Sequence, residues 1–182
     1  MMKIEETAIE GVVVLTAAVY RDDRGAFMET WNQRVMSDAG LPSAWVQDNF
    51  SISKKHVLRG IHYQVTQPQG KLVRVTHGAV LDVAVDLRRS SPTFGKHVAV
   101  ELDGESGRML WIPAGFGHGF LVLSEVAGFA YKVTDYYSPS GERTILWNDA
   151  DLAIPWPVAA DNVIVSQKDQ QGTSFREAQV FI

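Results

Sequence analysis

The sequence predicts an all-β domain, an antiparallel sandwich or barrel carrying a few short helices. Three observations predict it. Apolar and polar residues alternate at period two through the middle of the chain, the signature of half-buried strands. Short turn clusters such as "THGA" and "DGESG" interrupt the alternation at close, regular spacing. Helical patterning is confined to one short piece, which argues against parallel βαβ units.

Taken in chain order, the first readable element is that helical piece, "ETWNQRVMSDAGLP" (29–42), closed by Gly40 and Pro42. "RGIHYQ" reads as a strand in which Gly60 marks a bulge or a close approach of backbones. "KLVRVTHGAVLDVAVDL" (71–87) reads as two strands joined by a short turn at His77 and Gly78. "KHVAVEL" (96–102), "RMLWIP" (108–113), "GHGFLVLS" (117–124) and "GFAYKVT" (128–134) continue the series. The proline-containing "IPWPVAADNV" (154–163) is expected to be irregular and to wrap the body. There is no internal repeat, low-complexity tract or linker, so residues 1–182 are expected to form a single domain.

Bulk chemistry narrows the function classes. The chain has 182 residues and a net charge of −4, with no lysine- or arginine-rich block. Nucleic-acid binding wants a basic field, so it is not expected. No apolar run approaches the roughly 20 residues needed to cross a bilayer, and "MMKIEETAIEG" lacks the character of a secretory leader. Cysteine is absent, which removes disulfides and thiolate–zinc chemistry and fits a reducing compartment. The expected location is the cytoplasm.

The chemistry-bearing residues begin at His62. Without a bulge, Arg59 and His62 would point to opposite faces of their strand; with one at Gly60, both can face a barrel interior. By residue type alone three readings stay open for His62: a hydrogen-bonded core histidine, one ligand of a metal, or a general base. Gln64, two positions on, is a poor metal ligand, and His118 in "GFGHGF" is one histidine on a glycine-flanked turn. Lys71 shares a strand face with Val73 and Val75, which is costly unless its charge meets an anion or it snorkels outward at the rim. Tyr131 and Tyr137 lie six residues apart. On an unbroken strand they would share a face, roughly 20 Å apart. Glu142, Lys168 and Asp169 read by default as solvated charges.

In order along the chain, "DDRGAFMET", "VQDNFSISKKHVLRG", "RGIHYQ", "PQGKLVRV", "DVAVDLRRSSPTFG", "WIPAGFGHGF", "YKVTDYYSP" and "SQKD" resemble the dTDP-4-dehydrorhamnose 3,5-epimerase family of nucleotide-sugar epimerases. The resemblance implies a cupin-type jelly-roll β-barrel, a homodimer, and chemistry that needs neither metal nor cofactor. Its substrate would be a dTDP-4-keto-6-deoxy sugar, epimerised at C3 and C5; an epimerase acting at one of these carbons would carry the same motifs. By the same resemblance His62 is the base, Asp169 the carboxylate orienting it, Tyr131 the acid and Lys71 the cation beside the C4 oxygen. Asp82 is the alternative orienting carboxylate, although on its own strand it reads as a surface polar residue. Arg24, Glu29, Gln47, Asp48, Asn49, Arg59, His118, Glu142 and Lys168 match positions lining the site, and Tyr137 matches the aromatic that stacks on thymine. The chemistry suits these residue types. Protons at C3 and C5 are acidic because either carbanion delocalises into the ketone. A neutral imidazole can remove such a proton near pH 7, and a phenol of pKa near 10 stays protonated and can return one. An ammonium at the enolate oxygen is the main electrostatic lever, while arginine forks suit the diphosphate.

Overall fold

The computed structural model describes residues 2–182. Thirteen strands follow in chain order: β1 (Lys3–Glu6), β2 (Val13–Thr16), β3 (Val19–Asp22), β4 (Gly25–Met28), β5 (Gln47–Lys54), β6 (Leu58–Gln64), β7 (Lys71–His77), β8 (Ala79–Asp86), β9 (His97–Asp103), β10 (Arg108–Ile112), β11 (Phe116–Val122), β12 (Val126–Val133) and β13 (Glu142–Thr144). Two short helices, α1 (Gln33–Asp38) and α2 (Gln167–Gln170), accompany them. One antiparallel sheet has the order β1-β2-β10-β7-β12-β5, a second the order β13-β6-β11-β8-β9, and β3 pairs only with β4.

From β5 to β8 each successive strand belongs to the other sheet, and from β10 to β13 the chain alternates again. This crossing between facing sheets makes the barrel a cupin-type jelly roll. The turn at His77 and Gly78 lies where the alternation places it, yet β7 and β8 diverge into opposite sheets instead of pairing. Gly78 is required there: its φ is +76°, and a Cβ would lie 2.1 Å from the Val126 carbonyl.

The inward faces of both sheets bury Val14, Val73, Val75, Val80, Ala84, Leu110, Phe120 and Phe129 in one cluster. Burial of each such large side chain contributes roughly 1.5–3 kcal/mol. Outside the six-stranded sheet, Met36 of α1 packs on Leu15, Leu72, Met109 and Trp111. Outside the other sheet the irregular segment after β13 wraps Leu152, Ile154, Trp156, Phe175 and Phe181 over Ile61, Val83 and Val85. The helix is shorter than its sequence pattern. Asn32 caps it, its side chain accepting from the Arg34 and Val35 amides, so residues 29–31 stay outside; Gly40, at φ +70°, follows its end. No helix among the described residues is long and apolar enough to cross a membrane.

Candidate active site

Gly60 determines what the β6 strand presents to the interior. Across the β6–β11 pair, His62 lies opposite His118 and Arg59 opposite Phe120, so two residues of β6 face one of β11. This is a β-bulge, and it turns Arg59 and His62 into the same cavity. Glycine is obligatory at the bulge. Its φ is +133°, and a Cβ would sit 2.5 Å from the Gly119 Cα.

That cavity, about 120 Å³, lies between the sheets and is lined by Arg59, His62, Lys71, His118, Tyr131 and Glu142, with Tyr137 at its edge. His62 comes from the five-stranded sheet, whereas Lys71 and Tyr131 come from the facing one. A larger cavity of about 360 Å³ lies toward the outer face of the six-stranded sheet, near Phe50, Arg74 and Lys132, and includes neither His62 nor Lys71. Tyr131 lines both, and the smaller one gathers His62, Lys71, His118 and Glu142 around it.

His62 Nε2 and Asp169 Oδ1 are 2.6 Å apart. Asp169 is only 2% exposed. Its second oxygen faces the Gly60 amide at 3.5 Å, and its own amide donates to the Ser166 hydroxyl that caps α2. Burial pushes the Asp169 carboxyl up, but the hydrogen bond and charge of His62, with the Gly60 and Ser166 contacts, outweigh it and hold the group below its ordinary value. An ionised acceptor at Nε2 keeps the ring proton there, leaving Nδ1 with the free lone pair.

Lys71 is buried, and desolvation brings its ammonium down to about pKa 8, opposed by the charges of Asp82 and Glu142. Burial likewise raises the Tyr131 phenol, with Arg59 pulling it down and Glu142 up. It therefore stays protonated near neutrality. Burial lowers His118, opposed by Asp82, whose two oxygens lie 3.1 and 3.0 Å from His118 Nε2. Asp82 is 0% exposed, which corrects its reading as a surface polar residue; it partners His118, not His62.

At the mouth, Glu142 accepts from the Tyr137 hydroxyl at 2.7 Å and pairs with Lys168. Tyr137 itself is 51% exposed. β12 ends at Val133, so Tyr131 and Tyr137 do not share one extended strand, and the 20 Å separation expected of them does not apply. A bent segment carries Tyr137 back over the cavity. Gln64 anchors that segment, donating to the Gln67 and Tyr136 carbonyls and accepting from the Ser138 amide. Its place on the His62 face of β6 was the only sequence signal for this role.

The remaining positions divide. Gln47 accepts from the Tyr137 amide at 3.3 Å and donates to Asn49, which lies opposite Tyr131 in the β5–β12 pair. Arg59 Nε donates to Ser53 Oγ at 3.1 Å. Asp48, by contrast, pairs with Lys132 at 2.7 Å and lines the outer cavity. Arg24 binds Asp22 at the turn of the β3–β4 hairpin, and Glu29 accepts from Asn32 beyond it. Within one chain, then, Arg24, Glu29, Gln47, Asp48, Asn49 and Lys168 do not line the His62 cavity, and Asn49 lines the outer one with Asp48. Among the described residues the hairpin pairs with no other strand, and Asp48 alternates outward between Gln47 and Asn49.

The dTDP-4-dehydrorhamnose 3,5-epimerase family model matches residues 6–177. A dTDP-4-dehydrorhamnose 3,5-epimerase of Pseudomonas aeruginosa is 54% identical over 181 residues, covering 99% of each chain. One from Shigella flexneri is 51% identical over 183 residues, covering 100% of each. Among solved structures, a dTDP-6-deoxy-D-glucose-3,5-epimerase from Legionella pneumophila, in complex with dTDP-4-keto-L-rhamnose, superimposes with a TM-score of 0.94. It is 48% identical, and the match covers 98% of this chain and 95% of that one. Sequence and backbone agree along the whole barrel: this chain belongs to the dTDP-4-dehydrorhamnose 3,5-epimerase family.

Proposed function

We propose that this protein epimerises dTDP-4-dehydro-6-deoxy-glucose at C3 and C5 to give dTDP-4-dehydro-rhamnose, as a single domain and without a metal. One observation carries the reading: His62 and Tyr131 project from opposite sheets into one cavity that also holds the buried Lys71. His62 Nδ1 takes the proton from C3 or C5, and the C–H electron pair moves into the ketone to form an enolate. Asp169 holds the ring and stabilises the imidazolium. Lys71 faces the C4 oxygen as negative charge develops, a contact worth on the order of 100- to 1000-fold in rate. Tyr131 delivers a proton to the opposite face, inverting the carbon; the phenolate and imidazolium then re-equilibrate through solvent, with no net redox change. The cavity is smaller than the roughly 300–1,000 Å³ usual for a whole ligand. It therefore takes the reacting ring, while the diphosphate lies by Arg59 and the thymine on Tyr137.

The chain acts as a homodimer in the cytoplasm. Tyr20 and Phe27 are exposed on the β3–β4 hairpin, Phe27 by 70%. In a dimer this hairpin can carry Arg24 and Glu29 to the partner's site mouth, which reconciles their expected role with their place in one chain. A fully active monomer in analytical ultracentrifugation would exclude this.

The reaction is tested by proton NMR in deuterated water with the 4-keto-6-deoxy nucleotide sugar. Deuterium entering at both C3 and C5 is expected. Label at one carbon alone identifies a single epimerase, and loss of activity on chelation refutes the metal-free route.

A further inference from the structure

A second His–Asp pair lies in the barrel beside the first, and the reaction just derived does not use its carboxylate. Asp82 sits on β8 between Val80 and Ala84, two fully buried members of the central cluster, and is itself without solvent contact. Such a carboxylate is expensive. Removing an ion from water costs several kcal/mol, and an apolar residue would extend the cluster with no such penalty. Its oxygens lie 3.1 and 3.0 Å from His118 Nε2, and His118 stands directly opposite His62 across the β6–β11 pair. The Asp82 charge also acts on Lys71 of the facing sheet.

We propose that Asp82 is a positioning residue of the epimerisation: it fixes His118 with its proton on Nε2 and supplies the buried countercharge that keeps Lys71 an ammonium beside the substrate carbonyl. This rests on the epimerase reading above. With Nε2–H given to Asp82, His118 Nδ1 becomes an acceptor for a substrate hydroxyl, and His118 adds no positive charge next to Lys71. Asp82 and Glu142 are the carboxylates acting on Lys71, from β8 and β13. Arg59, His62, Tyr63, His118, Tyr131 and Tyr137 are the other titratable or charged groups lining the cavity, from β6, β11, β12 and the segment after β12. Glu142 is already committed to Lys168 and Tyr137, so Asp82 is the carboxylate with charge to spare for the floor of the site.

The test is the pH profile of kcat/KM for wild type and Asp82→Asn, which reports the free enzyme's ionisations. The alkaline limb set by Lys71 is expected to move about one pH unit toward neutrality in the variant, because the Asp82 charge that favours the ammonium is gone. A lower rate with an unmoved alkaline limb would mean that Asp82 is only structural. Should the variant fail to fold, ¹⁵N-histidine NMR of the wild type decides. His118 neutral and protonated at Nε2 at neutral pH is expected; protonation at Nδ1, or a positively charged ring, overturns the assignment. Failure of the wild type to exchange substrate protons would instead sink the epimerase reading, so the two failures are told apart.

Discussion

Asp169→Asn changes which nitrogen of His62 carries the proton while leaving side-chain shape almost intact. The two carboxylate oxygens have different jobs: one meets His62 Nε2 at 2.6 Å, the other faces the Gly60 amide at 3.5 Å. An asparagine keeps the Gly60 contact only by placing its oxygen there, which turns its NH2 toward Nε2. Two donors cannot share that bond, so the ring proton moves to Nδ1, the atom that must receive the sugar's proton. The same wrong-tautomer error in a Ser-His-Asp triad costs about 10⁴-fold in kcat. A loss of about 10³- to 10⁴-fold is expected in this site. KM should barely move, because Asp169 is buried behind the imidazole and is not among the cavity-lining residues. Initial rates of deuterium entry at C3 and C5, followed by proton NMR across substrate concentrations, give both constants. A kcat within about tenfold of wild type, equivalent to under 1.4 kcal/mol, or a defect carried by KM alone, would refute the tautomer argument.

Lys71→Met should abolish turnover yet stabilise the fold. Burial holds the Lys71 pKa at about 8 against an ordinary 10.5, so the folded state releases its proton first. The destabilisation is therefore full below about pH 8 and lifts as pH rises toward 10.5. It is on the order of 3 kcal/mol. Calorimetry should find the variant's advantage large at pH 6.5 and small at pH 10; an advantage independent of pH would contradict this. Tyr131→Phe should lose about 10²- to 10⁴-fold in epimerisation while His62 still washes deuterium into the substrate without inversion. Equal loss of wash-in and inversion would remove Tyr131 from the acid role. Gly60→Ala forces a Cβ to 2.5 Å from Gly119 at φ +133° and should destabilise by at least about 2 kcal/mol in urea titration; a neutral result would mean that the bulge relaxes freely.

The strands from β6 to β12 were legible because apolar residues recur at period two along most of their length. β5 was not legible, for a physical reason. Its inward residues, Gln47, Asn49, Ser51 and Ser53, are polar, while Phe50 and Ile52 face outward and are exposed. A strand whose inward face is polar inverts the usual alternation and reads as a loop. The pairing of β7 with β12, not β8, was equally hidden, since a turn's residues specify its backbone but not whether the flanking strands stay in one sheet. Around His62 the bulge could be read from Gly60. Asp169 could not be placed from spacing: its neighbour in space is 107 positions away in the chain. Only the resemblance linked the two. Asp82 was misjudged as surface because "VLDVAVD" alternates whichever face is inward, and both faces of β8 are covered.

The charge balance of the site explains how an acidic chain can hold a dianionic substrate. Arg59 donates only to Ser53, so among the described residues its guanidinium has no carboxylate partner and stays available for a diphosphate. Lys168 differs: it is held by Glu142, the same carboxylate that fixes the Tyr137 hydroxyl, so Tyr137, proposed to stack on thymine, and a mouth cation are built as one unit. α2 then ties mouth to floor, because Lys168 and the next residue, Asp169, reach Glu142 and His62 respectively. The proposed nucleotide contacts at the mouth are thus connected through one helical turn to the carboxylate paired with His62. Binding energy gained at the nucleotide, which never reacts, can be used to seat the ring between His62 and Tyr131. A barrel of two facing sheets suits the proposed chemistry because His62 and Tyr131, the proposed base and acid, come from opposite walls, and inversion at carbon needs a base and an acid on opposite sides of the ring.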